Sequence, residues 1–276
     1  MTDQRMQWAL PIMRLGYAGR GLTYVAIAGL SLWAIWQGGQ AQGTSEVLEQ
    51  IETSPMGAIV LMIIGVGLLC YTLWRLLSAW ADLENYGQRA DGLIARGGMI
   101  TTGLIHAAIG IGAIILVFEG QEDDYQRSHI IRATEMVMAV PFGVWLVGIA
   151  GALTCGAGLY YLHKAWSQSY RDHLAANHFT SHWNRLLQAG VAAQGIVILI
   201  VSMFLMYAFW THDPDQAGGL DKTFDWLAQQ VFGQVLVTGL CFGLLGFALF
   251  LFVNARYRIV PGLSDPDLKS LADIGA

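Results

Sequence analysis

The sequence predicts an all-α, polytopic membrane protein: six transmembrane helices arranged as three tandem parallel hairpins with pseudo-threefold internal symmetry. Three observations carry that expectation. The 276-residue chain is 55% hydrophobic and 13% charged, where an average soluble domain has about 25% charged residues. Its apolar residues fall in six runs of 19 to 25 residues that hold one formal charge, Arg20, while the other 34 crowd into the remaining 141 residues. The runs also repeat one another in pairs. Helices that show a face to water carry charge along it, and these do not. A soluble globular enzyme, a disordered chain and a secreted disulfide scaffold are thereby excluded.

The first run, Leu15–Trp36, is longer than the roughly 7–15 apolar residues of a signal peptide and recurs later, so it reads as a span. The second, Met56–Trp74, follows Pro55-Met56-Gly57, with the proline expected in the first helical turn. The third, Gly97–Phe118, carries His106, and the fourth, Ala139–Leu162, contains Pro141-Phe142-Gly143. The fifth is Leu186–Trp210 and the sixth Val231–Val253, which opens on Val231-Phe232-Gly233. Each matches the roughly 20 helical residues that cross a bilayer. Two connectors look partly helical, through Val47, Leu48 and Ile51 and through Phe224, Leu227 and Val231, and are expected to lie on the interface. Trp33, Trp36, Trp74 and Trp210 fall near span ends, where amphipathic rings prefer the headgroup region.

Self-alignment gives the architecture. Gly16 and Gly21 match Gly98 and Gly103, then Gly190 and Gly195; Gly67, Tyr71 and Arg75 match Gly156, Tyr160 and Lys164, then Gly243, Phe247 and Leu251. The chain is therefore one membrane domain over 1–276, with repeat units at roughly 14–80, 96–169 and 185–256 and a cytoplasmic tail over 257–276. Two spans per unit make all three copies enter from the same side, related by an axis along the membrane normal. Glycines are the expected packing points, because helices in lipid associate by close approach at small residues. Those positions are Gly16, Gly21, Gly67, Gly98, Gly103, Gly156, Gly190, Gly195 and Gly243.

Basic residues mark the cytoplasmic side. Arg5, Arg14, Arg20, Arg75, Arg89, Arg96, Lys164, Arg171, Arg185, Arg256, Arg258 and Lys269 share one face, and only Arg127, Arg132 and Lys222 lie on the other. That second face is acidic, with Glu46, Glu49, Glu52, Glu122, Asp123, Asp124, Asp213 and Asp215. Both termini are expected in the cytoplasm of a bacterium, across its plasma (inner) membrane. No nucleic-acid patch or lipidation signal is present.

Arg20 is the one charge within a span. It is expected either to reach the headgroups or bond a carbonyl, or to bind an anion or lipid headgroup, with Arg14, Tyr24, Tyr71 and Arg75 as neighbours. His106 is expected to bond a neighbouring helix; a bis-histidine haem lacks a second deep histidine. His173, His178 and His182 are a weak metal candidate, His178 and His182 being i, i+4, and a solvated juxtamembrane helix is the plainer reading. Cys70, Cys155 and Cys241 read as small buried hydrophobes.

The segment Arg14-Leu-Gly-Tyr-Ala-Gly-Arg-Gly-Leu-Thr-Tyr24, with Gly67, Tyr71 and Arg75, resembles the domain-of-unknown-function 1206 family of bacterial membrane proteins. The resemblance runs from about Arg14 to Arg256 and implies three tandem two-helix units. Copy two departs from the pattern at His106, and copy three at Gln188, Ile198 and Leu251. The family carries no biochemical role to transfer.

No Asp or Glu lies in any run, whereas proton- and sodium-coupled transporters place carboxylates in the membrane. Phosphate-loop, metalloprotease and nucleophile-elbow motifs are missing. The leading expectation is a non-enzymatic protein that packs against a membrane-protein partner or binds lipid, quinone or another apolar molecule, with no cofactor. An uncoupled channel or facilitator is the alternative, and an enzyme at the cytoplasmic interface a further one. Three parallel two-helix repeats also describe the mitochondrial carriers, but their Pro-x-acid signature is replaced here by Pro-Met-Gly and Pro-Phe-Gly.

Overall fold

A computed structural model describes residues 6–119, 129–263 and 269–273. Over these residues the chain is all-α, in the order α1 (Ala9–Trp36), α2 (Thr44–Glu52), α3 (Gly57–Ala81), α4 (Ala90–Glu119), α5 (His129–Met138), α6 (Gly143–Ser167), α7 (His178–His182), α8 (Asn184–Thr211), α9 (Leu220–Ala228) and α10 (Gly233–Tyr257). Six of them, α1, α3, α4, α6, α8 and α10, are long and apolar enough to cross a membrane. Helices α1, α4 and α8 contain their whole apolar run and extend past it, α1 starting at Ala9 rather than Leu15 and α4 at Ala90 rather than Gly97, whereas α3, α6 and α10 begin one to four residues inside theirs and run past its end. Glu122, Asp123, Asp124, Arg127 and Arg5 lie outside the described residues.

A short helix precedes the second span of every hairpin: α2, α5 and α9. The hydrophobic pattern revealed two of them and missed α5. Each leads into the next span through the same turn, in which Gly57, Gly143 and Gly233 donate to the carbonyls of Ser54, Val140 and Gln230, all at 2.9 Å. Pro55 and Pro141 are thus not in a first helical turn. They occupy the second position of this four-residue turn, where a fixed φ near −65° is needed. A Cβ on Gly143 would strike the Val137 carbonyl, so the turn requires glycine there.

The second span of each hairpin packs on the first span of the next: α3 on α4, α6 on α8, and α10 on α1. One glycine serves all three seams. A Cβ at Gly21 would meet Phe252 at 3.1 Å, at Gly103 the Arg75 side chain at 3.3 Å, and at Gly195 the Leu162 side chain at 2.9 Å. Within hairpins, α1 packs on α3 and α8 on α10. Gly16 lies against the Tyr71 backbone, Gly67 against Gly19, Gly190 against the Gly246–Phe247 backbone, and Gly243 against Ala193. The second hairpin differs: α4 and α6 form no packed interface with each other among the described residues. Gly98 and Gly156, expected as packing points, have nothing within 4 Å of a Cβ. The pseudo-threefold arrangement therefore lacks one of its six seams, and the helix order runs α4-α3-α1-α10-α8-α6.

The described part of the segment after α10 folds back over the face where α1 begins and α10 ends. The Ile259 N–H donates to the His173 carbonyl at 2.9 Å, Gly262 to Leu83 at 3.1 Å, and Leu271 to Leu174 at 2.7 Å. Val260, Leu263 and Leu271 are buried beneath it.

Candidate functional site

On α1 the buried residues Gly16, Gly19, Arg20, Thr23 and Ile27 recur at three- and four-residue steps, which puts them on one inward stripe. Arg20 is 4% exposed. It does not reach for the headgroups, and it bonds a phenol rather than a carbonyl: Nη1 donates to Tyr71 Oη at 2.9 Å. The close approach of α3 at Gly16 and Gly19 brings Tyr71 within reach. The guanidinium carbon also lies 5.0 Å from the Tyr71 ring centroid, 5.3 Å from Phe247 and 5.7 Å from Tyr24. Ring faces carry negative charge density, and here they stand where a carboxylate would otherwise balance the cation. Arg20 Nε is buried and has no hydrogen-bond partner.

Beside Arg20 lies a narrow cavity of about 90 Å³. Thr23, Tyr24 and Ile27 of α1, Leu68 of α3, His106 and Ile109 of α4 and Val197 of α8 line it, and Thr44 and Leu220 bound it where α2 and α9 begin. It extends from the buried cation toward the connector face. His106 hydrogen-bonds to its own helix rather than a neighbouring one, with Nδ1 2.7 Å from the Thr102 carbonyl, while its ring packs 4.9 Å from that of Tyr71 on α3. Arg75 places its guanidinium 5.6 Å from the Tyr71 centroid, and its Nε is likewise buried without a hydrogen-bond partner.

Of the five residues grouped by the sequence, the structure brings together Arg20, Tyr24, Tyr71 and Arg75. Arg14 stands apart: it is exposed, and six residues before Arg20 puts it roughly 240° around the helix. Sequence reasoning missed Gln194, which holds Arg20's place in the third copy. It is 6% exposed, with Oε1 buried and unpartnered. The repeat register alone would have found it.

A second polar cluster lies on the face of the termini. The Arg258 guanidinium grips both carboxylate oxygens of Glu84, its Nη2 2.7 Å from each. Burial works to raise the Glu84 carboxyl, but the charge and hydrogen bonds of Arg258 outweigh it and hold the group below the usual range. His173 approaches the same carboxylate at 3.9 Å; burial and then the Arg258 charge push its imidazole below the ordinary value. His178 and His182 stack on each other at 6.0 Å, so the three histidines do not converge. Among the described residues no group of three or more His, Cys, Asp or Glu side chains is placed to hold a metal ion.

The Arg20 site offers hydrogen-bond donors and a cation at one end of an otherwise apolar space. That suits the polar or anionic head of an amphipathic molecule.

The chain is 28% identical over 266 residues to "Uncharacterized protein YxxB" of Bacillus subtilis (strain 168), with 94% of each chain covered. No solved structure matches. Residues 15–82, 97–168 and 189–258 each match Domain of Unknown Function (DUF1206). Those three stretches fall on the three hairpins, and the chain belongs to the DUF1206 family.

Proposed function

We propose that this multi-pass membrane protein is non-enzymatic and binds a lipid, quinone or other amphipathic small molecule whose polar head sits at Arg20. The observation that carries this reading is the unpartnered Arg20 Nε, buried at the end of a mainly apolar cavity. A charge-assisted hydrogen bond contributes about 1.5–3 kcal/mol, so one contact to Nε changes affinity about ten- to a hundredfold. The excess of Lys and Arg on the face of the termini supports a plasma-membrane orientation with both ends in the cytoplasm.

Native mass spectrometry of protein extracted in mild detergent tests the proposal. Wild type is expected to carry a non-protein adduct whose occupancy falls at least about tenfold in Arg20→Gln. Wild type emerging bare, or an adduct indifferent to Arg20→Gln, would sink it. Liposome flux separates this reading from a facilitator. The cavity reaches Arg20, whose guanidinium lies against the rings of Tyr24, Tyr71 and Phe247, so small neutral and anionic solutes are expected not to pass, and a measurable flux would favour the facilitator.

A further inference from the structure

We infer that the ligand reaches the Arg20 site sideways from the bilayer, through a cleft between α4 and α6 that can close, and that it is an anionic phospholipid of the leaflet nearer the termini. The inference rests on the reading of Arg20 as a ligand contact and adds the route and the ligand class.

The repeats themselves reveal the cleft. In the first hairpin Gly16 abuts Tyr71 and Gly19 abuts Gly67; in the third Gly190 abuts Phe247 and Ala193 abuts Gly243. The matching positions in the second hairpin are Gly98 with Tyr160 and Thr101 with Gly156. All four are exposed. Tyr160 is 54% exposed where its counterparts Tyr71 and Phe247 are each 1% exposed. Among the described residues, the second hairpin therefore keeps the small residues of a helix seam with no helix against them. A glycine inside a helix is less favourable than alanine, a cost that close packing offsets in the other two hairpins and that no described residue offsets here.

The cleft adjoins the buried cations. On its α4 side, His106 lines the cavity with Arg20. On its α6 side, Tyr161 packs 6.3 Å from Phe247, the ring beneath Arg20, and Lys164 lies 6.0 Å from the Tyr160 centroid. Arg20, Arg75 and Lys164 thus gather about one opening, whereas the nearby buried carboxylate, Glu84, is bound to Arg258. Among the described residues these three cations face no free carboxylate, which calls for an anion. Leu104, Ile105 and Leu153 on the flanking helices are exposed and face lipid in a spanning helix, so the anion that meets this opening carries acyl chains. The cations lie in the half of the bundle toward the termini, which selects that leaflet.

A reversible cross-link tests the route. Thr101→Cys with Gly156→Cys, in a background with Cys70, Cys155 and Cys241 replaced by alanine, reproduces the contact that Gly19 and Gly67 make in the first hairpin. The variant is placed in nanodiscs of phosphatidylglycerol or of phosphatidylcholine and examined by native mass spectrometry, reduced and oxidised. The reduced protein is expected to retain phosphatidylglycerol at least tenfold over phosphatidylcholine, the oxidised protein to retain neither, and reduction to restore binding. Gly156→Trp, which fills the seam without a cross-link, should lose the lipid while keeping the wild-type melting temperature.

Equal retention by the cross-linked protein overturns lateral entry and leaves the Arg20 reading standing. An adduct absent in both redox states brings down the Arg20 reading as well. Equal retention of the two lipids overturns the anionic class, and displacement of phosphatidylglycerol by millimolar inorganic phosphate shows an aqueous anion instead. Failure of the disulfide to form overturns closure of the cleft. A second protein chain in the spectrum that survives in wild type and is lost in Gly156→Trp makes the cleft a partner interface and overturns the lipid.

Discussion

Burying Arg20 without a carboxylate leaves an unbalanced charge among aromatic rings, an arrangement that stability alone disfavours. Taking a charge out of water costs several kcal/mol even after relaxation, and ring contacts return about 2 kcal/mol when desolvated. Arg20→Met is therefore expected to hold or raise the melting temperature in detergent while abolishing lipid retention. Glu84 should behave in the opposite way. Its removal strands Arg258 beside Tyr17, so Glu84→Gln is expected to lose about 3–5 kcal/mol, and Glu84→Gln with Arg258→Leu to recover part of it; thermal unfolding of the three proteins decides. Arg20 was legible in the sequence because it is the one charge in 135 apolar residues. Its partners Tyr24, Tyr71 and Arg75 were legible because the repeat pattern carries them. Arg14 misled because membership of the same motif does not put two residues on the same helix face. Gln194 escaped because an uncharged amide raises no signal in a hydrophobic run.

Among the helices, the glycine seams differ in whether a neighbouring helix fills them. Gly190 packs against the backbone of α10, so Gly190→Leu should separate α8 from α10 and yield protein that aggregates on size-exclusion chromatography. Gly98→Ala places a methyl where nothing lies within 4 Å and should raise helix stability by up to about 1 kcal/mol, read as a small upward shift in melting temperature. The spans themselves were plain from hydropathy, since apolar length in lipid admits little but a helix. The filled and empty seams were not, because Gly98 and Gly190 hold equivalent places in the repeat and differ only in what the tertiary structure sets against them. The helix α5 was missed since its connector is dominated by charge, and the prolines were misplaced by two residues because a four-residue turn and a helix start share the same residue preferences.

Taken whole, the molecule carries opposing titrations on its two faces. Glu84 is held ionised, so it stabilises the fold above the ordinary carboxylate range, and that contribution disappears as pH falls through its lowered value. Asp221, between the connector helices, is pushed up to about 6, chiefly by burial and then by Glu46. The folded state holds its proton where the unfolded chain has released it. Stability from this group thus declines as pH rises from about 4 to 6, and the penalty is complete above that. Asp221→Asn should raise stability at pH 7 by about 1–2 kcal/mol, discounted for partial exposure, and flatten the melting-temperature profile between pH 4 and 6.

The contact between α1 and α10 joins the earliest made of these six spans to the latest. At about 5–20 residues added per second, the opening hairpin waits roughly 8–33 s before Phe247 is synthesised. During that interval Arg20 has Tyr71 and Tyr24 for company but not the third ring. The nascent chain thus exposes an incompletely shielded cation to the insertion machinery and to surrounding headgroups. A ribosome stalled before α10 would leave a five-span product with this charge uncovered, a ready mark for membrane quality control.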